Sequence, residues 1–315
     1  MKTLNITRSA SKVAKQAKNG SALFLGDCLD LVAALPSGSI DIIITSPPYC
    51  IGKEYESTSN LEDFEKMHST LLPEVVRILK PGGSLCWQVG NHVQNNKVTP
   101  LDCLIFAEMR SFKEVSLRNR IIWNYGHGLH CSNRFSGRHE TIMWYTKGDK
   151  YTFNLDDVRV PQKYPGKTYT KGPNKGKPSG NPRGKNPSDV WEIPNVKSNH
   201  IEKTDHPCQF PVALPQILIK ALSNEGDIVL DPFLGSGSTA VAAVLENRRY
   251  VGAETDEKYI KIAQQRINDA LSGVSRTRPW DKAIEKPNPK CKVAQLPDGH
   301  FVYTDAQLDI SICCS

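Results

Sequence analysis

Residues Ile40–Thr45, Ile-Asp-Ile-Ile-Ile-Thr, form an almost unbroken β-branched run that stops on Ser46-Pro47-Pro48-Tyr49. A run without in-and-out alternation needs cover on both faces, as the strands of parallel sheets do. Short apolar runs recur at 22–25, 84–89, 228–230 and 250–253, with two more at 120–123 and 140–145. Between them, residues 29–35, 61–79, 101–112, 211–222, 239–246 and 259–271 space their apolar side chains as helices do. Strands alternating with helices imply right-handed crossovers and an α/β fold built on a doubly wound, mostly parallel sheet. Sheets of this kind bind ligands beyond the carboxyl ends of their strands.

A chain of 315 residues, 39% hydrophobic, can bury one large α/β core with an inserted or appended lobe. No stretch approaches the roughly 20 apolar residues that span a bilayer. Lys2, Arg8, Lys12, Lys15 and Lys18 punctuate residues 1–20, which read as a basic arm or a loosely packed helix without a signal core. The expected setting is cytoplasmic, with no membrane partner. The nine cysteines are scattered without CxxC spacing, which argues against a disulfide framework and a structural zinc site. His127, His130 and Cys131 lie close together, but no second ligand pair follows at a usual spacing, and no metal is expected.

The net charge of +7 is unevenly spread. Residues 150–205 are rich in Gly, Pro, Lys, Asn and Tyr, lack periodicity, and read as irregular and exposed. Within them Arg159, Lys163, Lys167, Lys171, Lys175, Lys177, Arg183 and Lys185 occur with no acidic residue between. Two readings stay open: a solvated basic loop, or a surface that tracks phosphates through counterion release.

Asp231-Pro232-Phe233-Leu234-Gly235-Ser236-Gly237-Ser238 joins a strand to a helix. No Lys follows the glycines, so this is not a P-loop, and Ala240 occupies the third glycine position of a dinucleotide fingerprint. Such a loop suits a ligand that lacks phosphate, for example the amino-acid end of S-adenosylmethionine (AdoMet). Glu254, at the end of the next strand, can accept both hydroxyl hydrogens of a ribose. Asp27, at another strand end, fits two roles: reading an adenine amino group, or capping the helix over 29–35. At Ser46-Pro47-Pro48-Tyr49 the two prolines remove backbone donors and fix φ, leaving rigid carbonyl acceptors beside an aromatic face. That arrangement suits holding a planar amino group in line with an electrophile.

On these motifs the chain resembles the amino-directed (N4-cytosine and N6-adenine) AdoMet-dependent DNA methyltransferases over residues 21–270. Thr45-Ser46-Pro47-Pro48-Tyr49 is similar to their catalytic motif and 231–237 to their AdoMet loop, in the order of the β group, with a basic variable region between. His206-Pro207-Cys208-Gln209-Phe210-Pro211 resembles their remaining AdoMet-contacting segment, although Phe210 stands where a Lys is common. The resemblance implies a Rossmann-like methyltransferase fold. Ser46, Pro47, Pro48 and Tyr49 would be catalytic: Ser46 and the Pro47 carbonyl holding the amino group, Tyr49 stacking on a flipped base. Asp27, His206, Gln209, Asp231, Pro232, Phe233, Gly235, Ser236, Gly237 and Glu254 would form the AdoMet site, and Asn124 would lie near the base. Lys163, Lys167, Lys171, Lys175, Lys177, Arg183 and Lys185 would contact double-stranded DNA.

The implied organisation is a basic N-terminal arm (1–20), a catalytic half (21–149), a target-recognition region (150–205), an AdoMet-binding half (206–272) and a C-terminal extension (273–315). Serine at the first motif position leans toward cytosine N4, with adenine N6 as the alternative. The resemblance leaves open a homodimer and a cognate restriction endonuclease. Lower alternatives are an RNA- or protein-directed methyltransferase and a catalytically silent DNA-binding relative; a nucleotide-dependent oxidoreductase shares the fold alone.

Overall fold

The computed structural model describes residues 6–49, 60–126, 128, 130–197 and 199–282, all within one compact unit, Met1–Lys282. His127 and the extension from residue 283 onward lie outside the described residues. The strands are β1 (Ile6–Thr7), β2 (Ala22–Leu25), β3 (Ile40–Thr45), β4 (Leu79–Val89), β5 (Asn91–Gln94), β6 (Lys97–Pro100), β7 (Val115–Asn124), β8 (His139–Lys147), β9 (Val190–Glu192), β10 (Ile228–Asp231) and β11 (Arg249–Glu254). The helices are α1 (Ala10–Ala17), α2 (Cys28–Ala34), α3 (Leu61–Ile78), α4 (Leu101–Met109), α5 (Ala213–Leu222), α6 (Ser238–Leu245) and α7 (Glu257–Leu271).

Nine strands form one sheet in the order β1-β2-β11-β10-β3-β4-β8-β7-β9. All its pairings are parallel except those of β8, which runs against β4 and β7. The expected doubly wound, mostly parallel sheet is therefore present. β2 and β10 are buried along their whole length and β3 at every residue but Asp41, which is why these three read as nearly continuous apolar runs. One core, around Ile43, Leu71, Leu85 and Leu230, lies on one face of the sheet; a second, around Ile42, Ile44, Leu218 and Val241, lies on the other. Asp41 interrupts the apolar run of β3 and is answered locally. It binds Lys80 at 2.6 Å and accepts the Ile228 N–H at 2.9 Å, tying β3 to both neighbours.

Three elements differ from the sequence reading. Residues 6–17, expected as an arm or loose helix, are an edge strand and a docked helix with Val13, Ala14 and Ala17 buried. Their apolar positions are few but share one face, and that face meets the core. β4 begins at Leu79, because the chain after α3 re-enters the sheet through an irregular register around Pro81-Gly82-Gly83. A Cβ on Gly83 would lie 2.8 Å from the Asp41 carbonyl oxygen, so only glycine lets the strands close there. Finally, β5 and β6 form a hairpin turned by Asn95 and Asn96, both at positive φ, which is the two-residue turn that matches strand twist.

One buried group gives the fold a pH signature. His68 on α3 is 2% exposed; its Nδ1–H donates to the Phe64 carbonyl at 2.7 Å and its Nε2 accepts the Trp87 indole N–H at 3.2 Å. Burial pushes its pKa down from 6.5 to about 4. The unfolded chain then binds a proton that the folded one refuses between those values, so stability present above pH 6.5 is lost as pH falls toward 4. Chemical denaturation across that window should show a loss of roughly 3 kcal/mol from this group, and His68→Leu should flatten the decline, leaving the share of His206, another buried histidine held at about 4.

Candidate active site

The carboxyl ends of β2, β3, β4, β10 and β11 converge on a cleft of about 1020 Å³. Ser46, Pro47, Pro48 and Tyr49 follow β3 and all line it. Pro232, Phe233, Gly235, Ser236 and Glu254 line it from β10 and β11, and His206 and Gln209 from the segment ahead of α5. Residues 186 positions apart thus meet because β3 and β10 are hydrogen-bonded neighbours.

A buried hydrogen bond couples the two motifs. The Thr45 hydroxyl donates to Asp231 Oδ1 at 2.6 Å, and the Phe233 N–H donates to the same oxygen at 3.1 Å. Asp231 is 1% exposed, and burial raises its pKa to about 6 against the opposing pull of its donors. It braces the loop from behind and is not among the lining residues, nor is Gly237. Gly237, at φ +80°, caps α6, and a Cβ there would meet Ala263 of α7 at 2.8 Å. Both residues, expected in the AdoMet site, thus stand behind the residues that line the cleft. Gly235 differs: at φ +52° it faces the His206 ring, 3.0 Å from where a Cβ would sit. Its N–H donates to Glu254 Oε2 at 2.9 Å, while Asp256 N–H donates to Oε1 at 2.8 Å. Burial raises the Glu254 pKa, and the two amides fix its plane; Oε1 also accepts the Thr255 hydroxyl at 3.4 Å, while Oε2 keeps acceptor capacity to spare.

Other residues are placed as follows. Asp27 lines the cleft and also caps α2, accepting the Leu29 N–H at 2.8 Å, so both of its readings have a structural footing. Gln209 is locked by Thr204 and Glu202. Asn124 does not line the cleft, although Trp123 and Tyr125 on either side of it do. Lys163, Lys167, Lys171, Lys175, Lys177, Arg183 and Lys185 are exposed and outside the cleft. Their segment is closed at its base by paired Val160 and Lys185, and Arg183 and Arg159 both bind Asp156.

Two residues that the sequence reading missed complete the site. Tyr49 donates its hydroxyl to Glu140 Oε2 at 3.0 Å, Gln88 Nε2 donates to that oxygen at 2.6 Å, and Ser46 Oγ lies 3.2 Å from the Tyr49 oxygen. Burial, followed by the Glu140 charge, pushes the Tyr49 phenol well above its ordinary value. Gln88 had a legible signal, a polar side chain in an apolar strand. Glu140 had none, since only the antiparallel course of β8 carries its first residues to the cleft edge.

The donor set fits AdoMet. Among described lining residues, Arg134 is the sole Lys or Arg, so the glycine loop carries no cationic side chain of the kind a P-loop uses for phosphate. Glu254 offers paired acceptors for a ribose diol, and Phe233 an apolar face.

A sequence model of the family described as DNA methylase matches residues 40–265. The chain is 43% identical over 244 residues to type II methyltransferase M.BglII of Bacillus subtilis, covering 77% of this chain and 68% of that one. It is 31% identical to the DNA adenine methyltransferase YhdJ of Escherichia coli K12, over 84% and 88% of the two chains. A solved structure of a putative DNA modification methylase from Thermus thermophilus, complexed with S-adenosyl-L-methionine, superposes with a TM-score of 0.56 at 26% identity. That match covers 80% of this chain and 96% of the other.

Thr45→Val tests the brace between the motifs. Asp231 would lose its shortest donor while still buried, costing about 1–3 kcal/mol in denaturation experiments at neutral pH. The deficit should shrink as pH falls below the Asp231 pKa near 6, where the carboxyl takes a proton and needs the donor less.

Proposed function

Because the chain belongs to the DNA methylase family matched by residues 40–265, we propose that this cleft transfers a methyl group from AdoMet to the exocyclic amino group of a base flipped out of double-stranded DNA. The observation that supports this most directly is the meeting of Ser46–Tyr49 and the Gly235–Glu254 pair in one cavity.

AdoMet, when bound, supplies a methyl group on a positively charged sulfonium. Glu254 would hold the ribose hydroxyls, Phe233 would pack on the adenosine, and the Gly235 backbone would approach the amino-acid end. Ser46 and the Pro47 carbonyl would accept the two N–H bonds of the target amino group. Accepting both draws the nitrogen away from planarity and localises its lone pair. Tyr49 would stack on the base, offsetting part of the few kcal/mol of unpairing. Catalysis then rests on positioning and desolvation rather than on a strong base. The exposed lysines at 163–177 would track phosphates of the target-recognition contact.

Cytosine N4 is the target we favour, on the serine that opens the motif. Adenine N6 is the second reading, supported by the 31% identity to a relative named as an adenine methyltransferase. A partner restriction endonuclease is in keeping with the type II name of M.BglII.

Incubating the purified protein with AdoMet and genomic DNA should yield one modified nucleoside, N4-methylcytosine or N6-methyladenine, in a fixed sequence context. Ser46→Ala should abolish that transfer; retained activity would remove Ser46 from the reaction. Glu254→Ala should weaken AdoMet binding in calorimetry by about tenfold or more, the loss expected for buried hydrogen bonds to a charged group.

A further inference from the structure

Glu140 lies outside every motif that led to the site, yet it ends a chain of hydrogen bonds that begins at Ser46. A phenol carries one proton. Tyr49 commits it to Glu140 Oε2 at 3.0 Å, where the 2.6 Å bond from Gln88 Nε2 holds the carboxylate in place. The bond between Tyr49 and Ser46, at 3.2 Å, must then use the serine proton. Ser46 is left with lone pairs alone to offer the cleft. Without this constraint its hydroxyl could rotate and donate to the target nitrogen, occupying the lone pair that must attack.

We infer that Glu140 is a positioning residue, acting through Tyr49 to hold the Ser46 hydroxyl as an acceptor toward the amino group of the target base. The inference rests on the reading of the cleft given above. What Glu140 supplies is an acceptor at one oxygen. Gln88 and Tyr49 both address that same Oε2, so glutamine at this position can serve them both through its carbonyl. The surroundings agree. Tyr49, Gln88, Tyr125 and His139 are among the groups that interact with the carboxylate, and a Cβ on Gly90 would lie 3.3 Å from the Glu140 side chain. Glu140 thus lines the cleft beside the tyrosine and the end of β4, part-buried, with its Oε2 already taken by two donors.

The test is a double-mutant cycle on methyl transfer to the DNA site mapped with wild-type protein, with AdoMet affinity measured in parallel. Tyr49→Phe keeps the ring and removes the relay; Glu140→Ala removes its anchor. Each should lower kcat by about tenfold or more, with AdoMet Kd unmoved. The double variant should be no worse than the poorer single one, because both changes break one chain. Glu140→Gln should retain most of the activity. Independent, multiplying losses would overturn the inference, as would a Tyr49→Phe variant with wild-type kcat or a Glu140→Gln variant as poor as Glu140→Ala. Absence of methyl transfer by the wild-type protein would instead sink the functional reading beneath it.

Discussion

The hydrogen bond from Thr45 to Asp231 is the interaction on which the rest of the site depends. It joins the last residues of two neighbouring strands whose following turns carry the two halves of the chemistry. An ionised carboxylate at 1% exposure is costly to bury, and the hydroxyl and the Phe233 amide offset that cost. The same atoms therefore tie the carboxyl ends of two central strands together and set the distance between the Ser-Pro-Pro-Tyr corner and the glycine loop.

On the far side of the corner, Glu140 performs a similar service for Tyr49. The protein braces its central turn from two directions, by Asp231 through Thr45 and by Glu140 through Tyr49. Neither carboxylate belongs to the residues that the Ser-Pro-Pro-Tyr turn itself would suggest. The turn draws its rigidity from proline geometry and from these two acceptors, Asp231 buried and Glu140 part-buried. The glycine loop is held from below in the same manner. Arg266 of α7 donates to the Ser236 carbonyl at 2.8 Å and pairs with the buried Glu202, which also accepts the Val212 N–H.

Much of the fold was legible because the central strands are covered on both faces and so appear as apolar runs without alternation. Ala22–Leu25 and Ile40–Thr45 match their predicted bounds, and the helices after them differ by a few residues at most. The N-terminal helix was harder, since Val13, Ala14 and Ala17 make a narrow stripe among lysines and do not by themselves reveal a docking partner. β9 was missed for a related reason. Its three residues sit at the sheet edge with two of them exposed, and they gain strand character from pairing with Ile122–Asn124 rather than from their own composition.

Sequence by itself determined the chemistry available at each strand end: a rigid acceptor corner at Pro47-Pro48, a cation-free glycine turn at Gly235, and a carboxylate at Glu254. Local steric limits on proline and glycine act within a few residues, so these properties travel with the motif wherever it lies. The tertiary structure decided which strand ends became neighbours, and with them which groups Asp231, Gly237, Gln88 and Glu140 touch. Strand order and the single reversal at β8 are set by how whole faces of the sheet bury against helices. That is a property of the summed core, and no individual residue announces it.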